Sequence, residues 1–260
     1  MGGISTLQPI WSIRIERQGA DLGRMATVVV ALGGSLLRPE VDNRHEWIQG
    51  MVEVVACRVE DGDKLGIVVG GGAPAREGIE LARPIIEDIG NLDRIGIAAT
   101  RLNATIVRES LEDLGVQVSR NIPESVEKAV SELNGNSVVV MGGTEPGQTT
   151  DAVAIKLAIL SRASKCIIAT NVANVHEEDP RKNPESEAFD FLTLQQLQEI
   201  VGPPEHSTAG DSQVVDPIGV SEALKHGMPL DILDGRDTGK IKLSLEGSEF
   251  GGTVVRRDGK

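Results

Sequence analysis

SVVVMGGTEPGQTTDAVAIKLAILS, residues 137–161, decides the fold class. Its first five residues, Ser137 to Met141, form a short run rich in branched apolar side chains, as in a strand covered on both faces. The run ends in Gly142 and Gly143, and after a polar turn the apolar residues return in a helical stretch, Asp151 to Ser161. A strand that passes through glycines into a helix is the repeating unit of a parallel α/β sheet.

The same passage occurs twice more, at Val30-Ala31-Leu32-Gly33-Gly34-Ser35 and at Val68-Val69-Gly70-Gly71-Gly72. From Thr27 onward, short branched runs alternate with longer amphipathic stretches. Strands are predicted at Thr27 to Leu32, Leu65 to Val69, Ser137 to Met141, Cys166 to Thr170 and Leu230 to Leu233. Helices are predicted at Arg44 to Val59, Asp93 to Leu114, Ser125 to Leu133, Asp151 to Ser161 and Asp216 to His226. Val172 to Phe191, broken by Asp179-Pro180 and Asn183-Pro184, reads as an extended excursion off the sheet. Gly202 to Gln213 reads as a loop. Residues 1–24 lack clear periodicity, and the first strand starts just after Met25.

In an open parallel sheet the carboxyl ends of the strands share one edge, where ligands bind. Glycines there let backbone N–H groups approach an anion, and the following helix adds its positive dipole end. Tight turns alone account for a single such loop, whereas three on one edge point to a polyphosphate held beside an acceptor phosphate. Two familiar patterns nearly match. Gly70-x-Gly72-x-x-Ala75 has the dinucleotide spacing, but it follows the second strand, and Glu87 and Asp88 do not end a strand. Gly142-x-x-x-x-Gly147-Gln148-Thr149 has Walker A spacing, but Gln148 stands where that motif has lysine. Thr149 and Thr150 still place hydroxyls and N–H groups at a helix start.

A net charge of -13 argues against a nucleic-acid partner, which would need clustered Lys and Arg. Two cysteines, Cys57 and Cys166, are too few for a disulfide framework, and no apolar run is long enough for a membrane span. A soluble, cytoplasmic protein is expected.

Taken in order, ALGGSLL, VVGGGAPAR, DRIGIAATRLNA, MGGTEPGQTTDAVA, ATNVANVHEEDPRKNP and the closing GGTVV resemble the archaeal-type uridylate kinases of the amino acid kinase superfamily. The likeness covers nearly all of residues 27–255. It implies transfer of the γ-phosphoryl group of ATP to UMP, with Mg2+, on a three-layer αβα sandwich with a mainly parallel sheet, usually as a homohexamer. It divides residues 25–260 into an acceptor-binding half, about 25–160, and an ATP-binding half, about 161–256. Carried across by motif, Gly71, Asp93 and Thr144, Glu145, Pro146, Gly147, Gln148, Thr149 and Thr150 would hold UMP, with Asp93 at the ribose hydroxyls. Gly34, Ser35, Gly72, Arg76, Thr170, Asn171, His176 and Asp179 would fall on the ATP side. No residue is assigned as a metal ligand.

Arg76, expected two residues into a helix after a glycine loop, is the first candidate for catalysis, since a guanidinium forks onto phosphate oxygens. Asp151 would organise nearby donors or help place the metal, or simply cap its helix. Asp93 has the same second reading as a cap. The chain also departs from the family. Ala31 stands where many relatives carry lysine, though archaeal relatives often lack it there too, Ser221 stands where archaeal relatives carry lysine, and Asn171-Val172-Ala173-Asn174-Val175-His176 replaces Asn-Val-Asp-Gly-Val-Tyr. Arg181 or Lys182 could make up part of the missing charge. A relative acting on another acceptor, and a silent nucleotide- or oxyanion-binding oligomer, are the alternatives.

Overall fold

The structure, a computed structural model, describes residues 25–37, 44–178, 183, 185–205 and 214–257. The expectations for residues 1–24, for Asp179, Arg181 and Lys182, and for most of the loop ending at Gln213 lie outside the described residues. In chain order the elements are β1 (Thr27–Leu32), α1 (Gly34–Leu37), α2 (Arg44–Glu60), β2 (Lys64–Val69), α3 (Gly72–Ala82), α4 (Ile89–Asp113), α5 (Val126–Gly135) and β3 (Val138–Met141). There follow α6 (Thr150–Leu160), β4 (Lys165–Thr170), β5 (Val175–His176), β6 (Ala188–Phe189), β7 (Phe191–Thr193), α7 (Leu194–Val201), α8 (Pro217–His226), β8 (Leu230–Asp234), α9 (Thr238–Leu245) and β9 (Thr253–Arg256).

Among the described residues seven strands form the central sheet in the order β3-β2-β1-β4-β8-β9-β7. The five from β3 to β8 are parallel, β9 runs antiparallel to β8, and β7 is parallel to β9. The alternation of side chains along a strand explains the layers. Val29 and Ala31 of β1 pack into one core with residues of α5, α6, α7 and α8, while Val28, Val30 and Leu32 pack into a second with residues of α2, α4 and α9. A sheet with a hydrophobic core on each face is the three-layer α/β sandwich, and it explains why the strands at its centre are mostly apolar on both faces.

The helix starts follow from capping. The Asp88 carboxylate accepts from Asn91 N–H and starts α4 at Ile89, four residues before the expected Asp93; Asp93 is therefore inside the helix and does not cap it. Likewise Thr149, not Asp151, caps α6. Asp216 caps α8, with Pro217 at its first position. The expected excursion carries the antiparallel pair β5–β6 before β7 rejoins the sheet.

Candidate functional site

The parallel run from β3 to β8 puts the three glycine-rich strand ends on one edge. Two of them touch. A Cβ on Gly34 would lie 2.1 Å from the Gly72 nitrogen, and one on Gly72 would lie 2.3 Å from the Gly34 oxygen. Gly72 also adopts a φ of +59°, in the left-handed region. Side chains there would force the turns apart, so glycine is what lets Gly34 meet the Gly70–Gly72 turn. Gly70 N–H completes the junction by donating to Leu32 C=O at 2.8 Å.

The third loop, Gly142 to Thr150, is held at its middle and its end. Gly147 N–H donates to Asp93 Oδ2 at 2.8 Å, and Thr144 Oγ1 donates to Gln148 Oε1 at 3.2 Å. Thr149 Oγ1 accepts from Ala152 N–H, capping α6, and donates to Asp216 Oδ2 at 2.9 Å. Glu145, Pro146, Gly147, Gln148 and Thr149 are exposed, so this loop faces solvent at a helix start, where an anion is favoured.

The second anchor is α4. Besides Asp93, the buried Thr100 accepts from Gly143 N–H at 2.7 Å, and the fully buried Asn103 donates to Gly70 C=O at 2.8 Å and to Gly71 C=O at 3.0 Å. The stretch Ile95 to Ala104 thus backs the two loops. Thr100, Asn103 and Asp216 were not singled out from the sequence. The signal was present in part, since residues 93, 100 and 103 lie close to one face of a helix, but nothing local says which backbone groups they meet.

Arg76 is exposed, in the second turn of α3 and not the first, because the helix begins at Gly72. It forms no hydrogen bond or ion pair among the described residues. Asp151 is half-buried in the first turn of α6, and burial pushes its carboxyl up to about 7, the charge of Asp216 adding to the shift. Neither Asp151 nor Asp216 has a lysine or arginine partner among the described residues. Ala31 lies buried in β1 and Ser221 on α8, so no cation comes from those positions.

On the other candidates, Thr170 ends β4 and its carbonyl accepts from Gly235 N–H at 2.7 Å; the exposed Asn171 follows it on the same edge. His176 sits in the β5–β6 pair, its Nδ1 3.1 Å from Ser186 C=O, which occupies one ring nitrogen within the hairpin. A cavity of about 560 Å³ opens between α6 and α8 at the end of the Gly142–Thr150 loop, lined by Gln148, Lys156, Ile159, Asp216, Ile218 and His226 among others. No group of three or more His, Cys, Asp or Glu side chains is arranged for a metal among the described residues.

Residues 26–234 match the amino acid kinase family. The chain is 37% identical over 236 residues to a uridylate kinase of Methanospirillum hungatei, an alignment that covers 91% of this chain and 97% of that one. It is 40% identical over 228 residues to a uridylate kinase of Methanococcus maripaludis, covering 88% and 99%. Among solved structures, uridylate kinase from Archaeoglobus fulgidus superposes with a TM-score of 0.77 at 34% identity, over 89% of this chain and 100% of that one.

Proposed function

The chain belongs to the amino acid kinase family, and from that premise we infer that it is a uridylate kinase, moving the γ-phosphoryl group of ATP onto UMP to give UDP in pyrimidine nucleotide synthesis. The observation that carries this reading is the Gly142–Thr150 loop, hung on α4 beside the Gly70–Gly72 turn, in a chain that aligns with uridylate kinases over most of its length.

UMP is assigned to Gly71, Asp93 and Thr144 to Thr150 in the half from about 25 to 160. ATP is assigned to Gly34, Ser35, Gly72, Arg76, Thr170, Asn171, His176 and Asp179, reaching into the half from about 161 to 256. Asp93 spends one oxygen on Gly147 and keeps the other for a ribose hydroxyl. Phosphoryl transfer needs alignment and charge neutralisation more than covalent chemistry by the protein. The backbone N–H groups of the two loops align the phosphates, and Arg76, without a partner among the described residues, forks onto the oxygens of the transferring group. Asp151, its carboxyl pushed up to about 7 by burial, is assigned to organise donors at the start of α6 once the substrates are bound.

Mg2+ commonly takes one or two carboxylates, with waters and substrate phosphates completing its shell. Asp151, without a cationic partner among the described residues, would supply one such carboxylate, whereas Asp216 has its two oxygens on Thr149 and Gly219. The contribution of the ion, when bound with ATP, is to neutralise charge across the phosphate oxygens. A homo-oligomer, with a hexamer as the form implied by the family, is supported by the exposed Leu81, Ile85 and Ile89 at the α3–α4 corner. Cytoplasmic localisation completes the proposal.

The test is a coupled assay with ATP, Mg2+ and UMP, set against CMP and dUMP. UDP formation that is selective for UMP is expected; absence of UDP at all enzyme concentrations overturns the reading.

A further inference from the structure

Thr100 is a buried side chain shared by the two loops. Its Oγ1 hydrogen is committed to Ile97 C=O at 2.6 Å, which orients the oxygen as an acceptor for Gly143 N–H at 2.7 Å. Its methyl group faces the other loop, where a Cβ on Gly71 would lie 3.4 Å from Thr100 Cγ2. On the first loop the packing is closer still, for a Cβ on Gly142 would lie 2.5 Å from Thr100 Oγ1. One turn further along α4, Asn103 holds the carbonyls of Gly70 and Gly71. Two turns back, Asp93 holds Gly147 N–H. Both loops are therefore fastened to one rod, and Thr100 stands between them.

We propose that Thr100, supported by Asn103, is a positioning residue for phosphoryl transfer: its hydroxyl and methyl set the spacing of the Gly142–Thr150 loop from the Gly70–Gly72 turn, in which Gly71 is assigned to UMP and the adjoining Gly72 to ATP, and so of the acceptor phosphate from the donor. The proposal rests on the uridylate kinase reading. Its physical basis is that transfer depends on in-line alignment, and an error of about 1 Å in the placement of reacting groups can lower the rate about 10²-fold while leaving binding nearly intact. A helix packed on the sheet is stiffer than the loops it carries, so alignment set by α4 survives the binding and release of nucleotides.

Threonine offers two variants that divide its contacts. Thr100→Val keeps the shape and the methyl group but puts a second methyl in place of the hydroxyl, and so removes the acceptor of Gly143 N–H. Thr100→Ser keeps the acceptor and removes the methyl. Full-length wild type and both variants are compared by initial rates of UDP formation, by direct titration of UMP and of ATP, and by thermal melting. Assays run well below the melting temperature. The expected result is a kcat lowered about 10- to 100-fold in Thr100→Val, with dissociation constants for UMP and ATP within about threefold of wild type, and recovery of most of that loss in Thr100→Ser. If Thr100→Val does not fold, Thr100→Ala removes the same acceptor with less crowding and is read in the same way. A folded variant lacking the hydroxyl that keeps kcat within threefold of wild type overturns the proposal. So does a loss confined to nucleotide affinity. If wild type itself makes no UDP, the uridylate kinase reading fails and takes this inference with it; an active wild type with an indifferent Thr100→Val defeats this inference alone.

Discussion

The hydroxyl of Thr149 donates to the carboxylate of Asp216 at 2.9 Å and so joins the N-caps of α6 and α8, two residues 67 positions apart. Asp216 uses its other oxygen to accept from Gly219 N–H at 2.9 Å, and Thr149 accepts from Ala152 N–H. One hydrogen-bonded chain therefore starts both helices. It also ties the loop assigned to UMP to the part of the chain assigned to ATP.

Replacing Asp216 by alanine removes the cap of α8 and the partner of Thr149 together, and a cost of about 1–2 kcal/mol is expected. Asp216→Ser, which caps a helix but is too short for both bonds, should recover about half of the loss. Urea unfolding of the three proteins checks this, and equal midpoints for Asp216→Ala and wild type would sink it.

Arg76→Ala should lower kcat/KM on the order of 10³-fold, the scale on which a guanidinium acts on a transferring phosphoryl group. Because Arg76 is exposed and has no ion pair among the described residues, the melting temperature should stay within about 1 °C, a surface change being nearly neutral. Steady-state kinetics beside a thermal melt separates the two effects. Arg76→Lys should fall between, having charge without the fork.

The raised carboxyl of Asp151 predicts a pH-dependent stability. Between the unfolded value of 3.8 and the folded value of about 7, the folded protein holds a proton that the unfolded chain has released. This group thus lowers stability progressively as pH rises through that window, and the full cost is present above 7. Asp151→Asn should therefore be more stable than wild type at pH 8, by about 1–3 kcal/mol after allowing for solvent screening of a half-buried group. The difference should shrink toward zero near pH 4. Denaturant titrations at pH 4.5, 6 and 8 measure it; an unchanging difference would refute the assignment.

Asp231 is buried in β8, with Lys165 Nζ at 2.7 Å, an Arg256 guanidinium nitrogen at 2.8 Å and the Ser244 hydroxyl at 2.7 Å. Asp231→Ala leaves two partly buried cations without their carboxylate, and a loss of about 3–5 kcal/mol is expected. The melting temperature reports it. The network lies outside the candidate site, so UMP affinity of the folded variant should not change.

Leu81, Ile85 and Ile89 are 81%, 85% and 75% exposed, an apolar corner that the proposed oligomer would cover. Ile85→Glu should lower the mass found by sedimentation. A wild type that sediments as a monomer would remove this part of the proposal.

Strand identity was legible in the sequence because β1, β2, β3 and β4 are largely apolar on both faces and run into a glycine or a polar residue, as in Val138–Met141 before Gly142. The functional class was legible because the strand-end glycines and Thr149-Thr150 are local patterns, and the order of the motifs matched a family. Helix starts were less so: Asp88 and Asp93 are both plausible caps in one dimension, and only the hydrogen bond to Asn91 distinguishes them. The short strands β5, β6, β7 and β9 were missed as strands, since two to four residues give too little periodicity to read. What tertiary structure alone decided is how the loops are held. Asp93 with Gly147, Thr100 with Gly143, Asn103 with Gly70 and Thr149 with Asp216 are partners separated by 33 to 67 residues. A side chain's local pattern records its helix or strand, but the backbone group that it meets is set by how the sheet stacks its strands, and no stretch of neighbouring residues contains that information.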